Sequence, residues 1–367
     1  SDACHVDIRI VRSYGAWISD VSDLTDRIMR RKIYVAPSAN RKGGYPNPYF
    51  IHLKKELASY FEVLDSENKP RLSQGLTLLR YSFSADVFLL SFVETIAFHK
   101  LAFIQYLAAM LSLLIMKLRR REVIFIFHNP RPHKGENRMS RSLTMRMLRQ
   151  AALVLSHSTD TAAYAKSLIS NFGGDSAKVK YVCHPMPATD VPAPDMSSGR
   201  ILIWGNVLPY KGVLEFVSCP EIRDAGLDVH IVGRCGDASL SASIEQSVSR
   251  PSATHFLFEN RSASFEELRS LIPSSKYVVF PYLPGSVSGS GVLMDTIAMG
   301  GEPVGPSFGA FADLASENVC RIYHSISELV SILNSPKQLN QTAIRHFIAR
   351  NSWPAFAEMI ATESGRL

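Results

Sequence analysis

Two histidines follow an apolar, strand-like run in FIFHNPRPHKG, residues 125–135. Polar residues just past the end of a strand lie where open α/β sheets bind their ligands. His128 and His133 could therefore hold a metal, move a proton, contact a substrate or only stiffen the loop. A metal is disfavoured because no third ligand has suitable spacing and no cysteine or carboxylate cluster completes a site. We favour substrate contact through His128 and its neighbour Asn129 over a structural function.

A lysine in WGNVLPYKGVLEF, residues 204–216, has the type and position to bind an anion. The run reads as a strand ending at Gly205, a turn around Pro209 and a helix that begins near Lys211. Lysine is unfavourable beside the positive end of a helix dipole, so its presence there indicates a bound phosphate, which an ammonium reaches as a mobile point charge. A solvated lysine is the alternative.

A serine–glycine repeat gives a second anion-binding pattern in the same half of the chain. An apolar helical run directly follows Ser288, Gly289, Ser290 and Gly291. The free N–H groups and the dipole of a helix start bind anions without a side-chain cation, and glycines let a pyrophosphate approach the backbone. The alternative is a flexible loop with a serine N-cap. Two phosphate-compatible patterns after strands of one domain favour a phosphate-binding site there.

Apolar strands that alternate with helical segments must position these residues. A first series contains the strand-like runs KIYVAPSA, YFEVLD, DVFLLSF, VIFIF, ALVLSHS and KVKYVCHP, and a second contains RILIWGN, LDVHIVG, THFLFEN and KYVVFPY. Strands alternating with helices predict parallel sheets covered by helices on both faces. We therefore predict an α/β protein with two tandem doubly wound, Rossmann-like domains that face each other across a cleft. The active site should lie in that cleft.

A stretch rich in Pro, Ser and Asp, residues 186–200, separates the two series and is typical of a linker. We divide the chain into an N-terminal extension without assigned function at 1–31, an N-terminal domain at 32–187, a linker at 188–200, a C-terminal domain at 201–340 and a C-terminal helix at 341–367. The C-terminal domain then carries both phosphate-compatible patterns.

The composition is that of a globular protein, with 367 residues of which 46% are hydrophobic and 20% charged. Five cysteines without CxxC spacing disfavour a disulfide framework and indicate a reducing environment. The first residues lack a basic segment followed by an apolar one, so we expect no secretory signal and a cytoplasmic location. The net charge of +7 suits phosphate ligands or an anionic membrane surface. Nucleic acid is disfavoured because no aromatic-interleaved basic sheet or helix-turn-helix pattern accompanies the basic clusters.

The apolar stretch at 101–118 approaches the roughly 20 residues needed to cross a bilayer. The runs on either side of it read as neighbouring strands of one parallel sheet, so it is predicted to be a right-handed crossover helix. In a variant of this prediction, the outer face of the helix is apolar and lies on an anionic membrane. Lys117 and the arginines at 119–121 would then be anchored at the headgroups.

Several short motifs follow one another along the chain: GNVLPYKG, VGRCGD, FPY, SGSGVLMDTIAMGG and EPVG, with HN-PRPH in the first half. In this order they resemble the motifs of the nucleotide-sugar-dependent glycosyltransferases of GT-B fold, most closely family four. The resemblance runs from about Lys32 to the end of the chain. It includes NSWPAFAEMI, which is similar to the helix that in this fold crosses back to the N-terminal domain. The motif order is specific, whereas each motif alone is not.

The resemblance implies a nucleotide sugar bound by the C-terminal domain, with Lys211 and the helix start after Ser290 on the diphosphate. His128 and Lys211 are the catalytic candidates. The donor-binding candidates are Gly43, Gly44, Gly205, Asn206, Arg234, Ser288, Gly289, Ser290, Gly291, Val292 and Asp295. Two features depart from the family. Asn206 to Leu208 stand where relatives often have an arginine, for which Arg234 is the candidate substitute. Val287 stands at the first of two family glutamates, and Asp295 at the second, which holds the ribose in relatives.

The resemblance also implies transfer of a hexose from a UDP- or GDP-sugar with retention of configuration and without a required metal or other cofactor. We favour a lipid-linked saccharide as the acceptor, at the inner face of the cytoplasmic membrane, and a soluble acceptor is the alternative. The acceptor-side candidates are Asn47, Asn129, Arg131 and His133. A non-catalytic nucleotide-binding protein and a GT-B-type nucleotide-sugar epimerase are the alternative functions.

Overall fold

The computed structural model describes residues 30–37, 47–64, 74–98, 100–128, 137–189, 199–284, 289–337 and 340–365. Most of the predicted N-terminal extension at 1–31 and most of the predicted linker at 188–200 lie outside these residues. Helices and strands are numbered along the described residues.

The N-terminal half forms a sheet of six parallel strands in the order β2-β1-β3-β4-β5-β6. The strands are β1 (Lys32–Ala36), β2 (Glu62–Leu64), β3 (Val87–Ser91), β4 (Glu122–Ile126), β5 (Leu153–Ser156) and β6 (Val179–Tyr181). Every side chain of the central strand β3 is buried, as a sheet with helices on both faces requires. The helices are α1 (Pro48–Leu57), α2 (Gln74–Tyr81), α3 (Ala102–Leu118), α4 (Arg138–Gln150) and α5 (Thr159–Asn171), with 3-10 helices at Val93–Phe98 and Ser176–Lys178.

The C-terminal half forms a second six-stranded parallel sheet, in the order β12-β11-β10-β7-β8-β9. The strands are β7 (Ile201–Trp204), β8 (Asp228–Val232), β9 (His255–Glu259), β10 (Tyr277–Val279), β11 (Pro303–Pro306) and β12 (Arg321–Tyr323). The helices are α6 (Val213–Ser218), α7 (Pro220–Arg223), α8 (Ala238–Val248), α9 (Phe265–Ser274), α10 (Gly291–Ala298), α11 (Ala310–Ser316), α12 (Ile326–Asn334), α13 (Gln341–Asn351) and α14 (Trp353–Ser364), with a 3-10 turn at Pro209–Lys211. The predicted pair of doubly wound, Rossmann-like domains is confirmed.

Helix α3 connects the neighbouring parallel strands β3 and β4, so it is the crossover helix that the sequence predicts. One face packs into the core through Ala109, Leu113 and Met116. The opposite face is exposed, and its large apolar side chains are Leu101, Phe103, Ile104, Leu107, Leu111, Leu114 and Leu118. Within the described residues, no helix combines the length and the apolar composition needed to cross a membrane.

Helix α14, at the end of the described chain, packs on the N-terminal sheet. Trp353, Phe356 and Ile360 share a buried cluster with Ile33 and Val35 of β1. An ion pair of 2.6 Å between Lys180 and Glu363 lies at the end of this contact. Each Å² of buried apolar surface contributes about 25 cal/mol to the stability of a fold. The buried contact of α14 with the N-terminal sheet therefore ties the two halves together.

The two halves also meet at the carboxyl ends of their strands. The backbone N–H of Thr159 donates to Asp313 Oδ2 at 3.0 Å, and its hydroxyl donates to the same carboxylate. A Cβ built on Gly289 would lie 3.1 Å from the Cβ of His157. Because this spacing is tighter than an ordinary van der Waals contact, residues of both halves lie against each other at the edge where α/β sheets bind ligands.

Candidate functional site

The loop after β7 brings a lysine and a helix start together. Gly205 has φ +93°, a conformation that favours glycine. A Cβ built on Gly205 would lie 3.3 Å from both methyl groups of Val292 and 3.5 Å from Nζ of Lys211. The bare backbone at this strand end therefore lets Lys211 lie beside the first turn of α10.

Lys211 ends the 3-10 turn Pro209–Lys211, and α6 begins two residues later rather than at Lys211 itself. The residue is only 7% exposed, so it is not a solvated lysine. Its Nζ lies 5.6 Å from the ring centroid of Tyr282, a cation–π contact. No ion pair of the described residues includes Lys211, and burial lowers its pKa to about 8. This ammonium is arranged to receive an anionic ligand.

Gly212 fixes the position of Lys211, and we expect its substitution by alanine to destabilise the protein. Gly212 has φ +64°, and a Cβ on it would lie 2.0 Å from the carbonyl oxygen of Pro281. Gly212→Ala must push two loops apart, which we expect to lower the free energy of unfolding by about 3 kcal/mol in urea titrations. Gly226→Ala is the matched control, because Gly226 has φ +66° with nothing within 4 Å. We expect it to lose about 1 kcal/mol, and equal losses would contradict the close approach at Gly212.

The first turn of α10 lies next to Lys211. Ser290 is the N-cap, and its hydroxyl accepts from the N–H of Leu293 at 3.4 Å. Gly291 is the first helical residue, and the hydroxyl of Tyr282 lies 3.5 Å from that of Ser290. A helix start leaves N–H groups without partners inside the helix, and its dipole favours an anion. Four of the predicted donor residues, Gly289, Ser290, Gly291 and Val292, therefore lie in one place with Lys211.

Asp295 lies one turn further along α10. Burial raises the pKa of its carboxyl to about 7. The helix is held against β7 here, because Trp204 Nε1 donates to Thr296 Oγ1 at 2.8 Å. A carboxyl that is partly protonated near neutral pH both donates and accepts hydrogen bonds, which suits a ligand hydroxyl.

Asn206 and Arg234 belong to two loops that pair with each other. The N–H of Val207 donates to the carbonyl of Arg234 at 3.0 Å, and Val207 forms an isolated bridge with Cys235. Asn206 and Arg234 are both exposed. The structure thus places Arg234 at the edge of the site, beside the segment 206–208.

On the N-terminal side, His128 lies two residues after the end of β4. Its ring stacks on Phe92, with centroids 4.2 Å apart and an angle of 3° between the planes. Burial, and then the neighbouring His157 and His184, lower the pKa of His128 well below its usual range. The ring is therefore neutral at physiological pH and packs among aromatic rings.

Three further side chains surround His128 and were not predicted from the sequence. They are Tyr49 of α1, His157 after β5 and His184 after β6, which with His128 form a histidine cluster. The carbonyl of Val182 accepts a hydrogen bond from Nδ1 of His157 at 2.9 Å, so Nε2 of the same ring accepts from the Tyr49 hydroxyl at 2.9 Å. The positions of these histidines in the sequence could have indicated the cluster, because the segments SHS and CHP follow strands that end at the same sheet edge as the strand before His128.

Several predicted residues lie outside the described residues, and their functions stay predictions. They are Gly43, Gly44, Asn129, Arg131, His133 and Ser288. Of the acceptor-side candidates, only Asn47 is described, and it is the N-cap of α1 with its side chain accepting from the N–H of Tyr49 at 3.2 Å. Across the described ranges, no group of three His, Cys, Asp or Glu side chains is arranged to hold a metal ion.

Solved structures share this architecture. HepE from Anabaena in complex with UDP matches with a TM-score of 0.61 at 13% identity, covering 92% of this chain and 100% of HepE. The lipopolysaccharide outer core galactosyltransferase WaaB gives 0.58 at 14% identity, with 92% and 100% covered, and the trehalose-6-phosphate synthase OtsA gives 0.58 at 12%, with 92% and 99% covered. No protein-family model and no curated protein sequence matches the chain. The likeness to these structures shows that the chain has the GT-B fold.

Proposed function

We propose that this protein is a glycosyltransferase of the family-four type that moves a hexose from a nucleotide diphosphate sugar to a saccharide acceptor. The observation that carries the proposal is the buried ammonium of Lys211 beside the first turn of α10. A lysine ammonium and a helix start, both of which bind phosphate without a metal, meet there at the carboxyl ends of the strands of one sheet. HepE has been solved with UDP and with UDP-glucose, which supports a UDP-sugar as the donor.

The chemistry follows from where charge develops. The bond between the anomeric carbon and the diphosphate oxygen breaks, and its electron pair leaves with the diphosphate. The acceptor hydroxyl oxygen forms the new bond, and its proton passes to the departing diphosphate. Preorganised donors aimed at the departing oxygen stabilise the transition state more than the ground state. Lys211 and the α10 N–H groups supply this stabilisation, so we propose that no metal is required.

The remaining side chains would hold the rest of the donor. Asp295, with its raised pKa, is suited to bond the ribose hydroxyls, and Arg234, whose carbonyl accepts from the N–H of Val207 in the loop after β7, would contact the phosphates. His128 would contact a hydroxyl of the transferred sugar from the opposite side of the cleft. We propose that the sugar is transferred with retention of configuration, as the family resemblance implies.

A lipid-linked acceptor at the inner face of the cytoplasmic membrane is supported by the exposed face of α3. Leu101, Phe103 and Leu118 are 70%, 64% and 74% exposed. Exposed Lys117, Arg119 and Arg120 lie at one end of this apolar face. An apolar face bordered by cations matches the acyl and headgroup layers of an anionic membrane. The N-terminal half, which would hold the acceptor, is the half that carries this face.

The proposal is tested by nucleotide binding and then by turnover. A nucleotide sugar at 100 times its Kd should stabilise the fold by about 2.7 kcal/mol, so thermal unfolding with a panel of UDP- and GDP-sugars identifies the donor. Transfer to a membrane extract is then measured with and without EDTA. Binding without transfer or hydrolysis would favour the non-catalytic alternative. Conversion of the sugar without any acceptor would favour the epimerase. If the protein binds none of the donors in the panel, the proposal is contradicted.

A further inference from the structure

His184 lies on the last segment of the N-terminal half and faces the start of α10. Its Nδ1 lies 2.9 Å from the carbonyl oxygen of Pro185. A carbonyl only accepts, so Nδ1 carries the hydrogen and, in the neutral ring, Nε2 is a bare acceptor. Among the hydrogen bonds of the described residues, none involves Nε2 of His184.

The Nε2 edge of the ring lies against the helix start. A Cβ built on Gly291 would be 3.7 Å from Cε1 and 3.9 Å from Nε2 of His184, and one on Gly289 would be 3.9 Å from Cδ2. The Cα–Cβ direction of a helical residue tilts toward the N-terminus of the helix. This edge of His184 is therefore beside the place where the free N–H groups of α10 would bind an anion.

Among the described residues around His184, no carboxylate would charge the ring without a ligand, and the titratable neighbours are Tyr49, His157 and His128. Tyr49 of α1 and His157 after β5 each contact it with ring centroids 5.2 Å apart, and Trp353 of α14 is at 6.2 Å. The first turn of α10 contains no acidic residue. Burial lowers the pKa of His184 to about 4, so the ring is neutral in the free protein near neutral pH.

We propose that His184 is a third ligand of the donor diphosphate, contributed by the N-terminal half, and that it takes up a proton when the diphosphate binds. The proposal rests on the donor site of the proposed function. Nε2 has no hydrogen to donate in the neutral ring, whereas the imidazolium donates from both nitrogens. A diphosphate beside Nε2 supplies the opposite charge that favours the imidazolium.

Proton uptake distinguishes this function of His184 from a merely structural one. At pH 6.0, Lys211 with its pKa of about 8 and Asp295 with its pKa of about 7 are already largely protonated. UDP-glucose has no group that loses a proton between pH 5 and 8. Net uptake on binding at this pH therefore comes from a group that is neutral beforehand, as His184 is. While the bound ring stays protonated, affinity should fall up to tenfold for each unit by which the pH rises.

The test is titration calorimetry of the full chain with UDP-glucose at pH 6.0 in two buffers with different enthalpies of ionisation. We expect the wild type to take up close to one proton per bound ligand. His184→Gln keeps a neutral hydrogen-bond donor, and we expect it to bind more weakly and to take up none. His157→Gln is the matched control, because both nitrogens of His157 are bonded within the N-terminal half, and it should keep the uptake.

Three results would overturn the inference. The first is binding of UDP-glucose to the wild type without proton uptake. The second is wild-type uptake by both His184→Gln and His184→Asn, each checked for folding by thermal melting. These two results leave the proposed function intact. The third is a failure of UDP-glucose and every other nucleotide sugar to bind, which would overturn the proposed function as well.

Discussion

Lys211→Met is expected to lower the rate of sugar transfer by about 10- to 150-fold while leaving the protein at least as stable as the wild type. The loss corresponds to the roughly 1.5 to 3 kcal/mol that a charged hydrogen bond contributes, here expressed in the transition state. Stability is preserved because the ammonium is buried beside Tyr282 and forms no ion pair with another described residue, and methionine fills similar space without a charge to desolvate. Steady-state transfer rates and urea unfolding measure the two effects.

The pH dependence of donor binding gives an independent view of the same group. The ammonium is the form that binds a diphosphate, and with a pKa of about 8 it is present below pH 8 and is lost above it. We expect donor affinity to fall by up to tenfold per unit above pH 8 in the wild type, and this decrease to be absent in Lys211→Met. Because folding lowers this pKa from 10.5, burial of the charge destabilises the fold at neutral pH, and the penalty fades as the pH rises from about 8 to 10.5.

Lys337 provides a matched control in the same half of the chain. It is also buried, at 8% exposed, but its Nζ donates to the carbonyl of Ser275 at 3.1 Å, away from the candidate site. Lys337→Met should lose stability because the carbonyl loses a partner, and it should keep the transfer rate. A Lys211→Met variant that transfers at the wild-type rate would contradict the assignment of the diphosphate site.

The sheets could be predicted because their signal is local. Runs such as DVFLLSF and VIFIF are short and mostly apolar and fall between helical segments, which is typical of a parallel sheet with both faces covered. Helix α2, Gln74–Tyr81, was not predicted, because eight residues are too few to show a helical period clearly. Strand β11 reads PVGP, a sequence with two prolines and a glycine that has low strand propensity. Tertiary pairing with β10 and β12 decides its conformation.

The candidate site could be predicted only in part, because side-chain environments depend on distant residues. The pattern around Lys211 indicated an anion, but its burial depends on Gly205 and Tyr282, which come from different loops. The histidine cluster joins Tyr49 to His157 across 108 positions of sequence. No spacing rule links residues so far apart. A histidine at the end of each of several parallel strands is the one pattern that would have indicated it, since those ends share one edge.

Leu107→Glu combined with Leu111→Glu is expected to lower binding to anionic vesicles by at least about 100-fold. The two leucines lie one turn apart on the outer face of α3 and are 50% and 47% exposed. Burying a large apolar side chain in the acyl layer contributes about 1.5 kcal/mol or more, which is about tenfold in affinity for each leucine. Two carboxylates would in addition be repelled by the headgroups. Co-sedimentation with phosphatidylglycerol vesicles measures the change.

The control for this experiment has the same chemistry on the other half of the molecule. Leu257 and Phe265 are 43% and 51% exposed and belong to β9 and α9. Leu257→Glu with Phe265→Glu therefore removes a comparable apolar area and adds the same charge, and it should leave vesicle binding unchanged.

Comparison of the wild type with the variant Leu107→Glu with Leu111→Glu, called the α3 variant, distinguishes a membrane from a second copy of the chain as the occupant of the α3 face. If copies of the chain cover it, the wild type should sediment as a dimer without lipid, the α3 variant as a monomer, and neither should bind vesicles. If a membrane covers it, the wild type should stay monomeric and bind anionic vesicles. This binding should weaken at high salt because the cations are screened. The wild type should also transfer sugar faster than the α3 variant to a lipid-linked acceptor in vesicles. The wild type and the α3 variant should then transfer at equal rates to a soluble acceptor, since α3 carries no residue of the donor site. Equal rates for wild type and α3 variant on the lipid-linked acceptor would contradict the membrane function of this face.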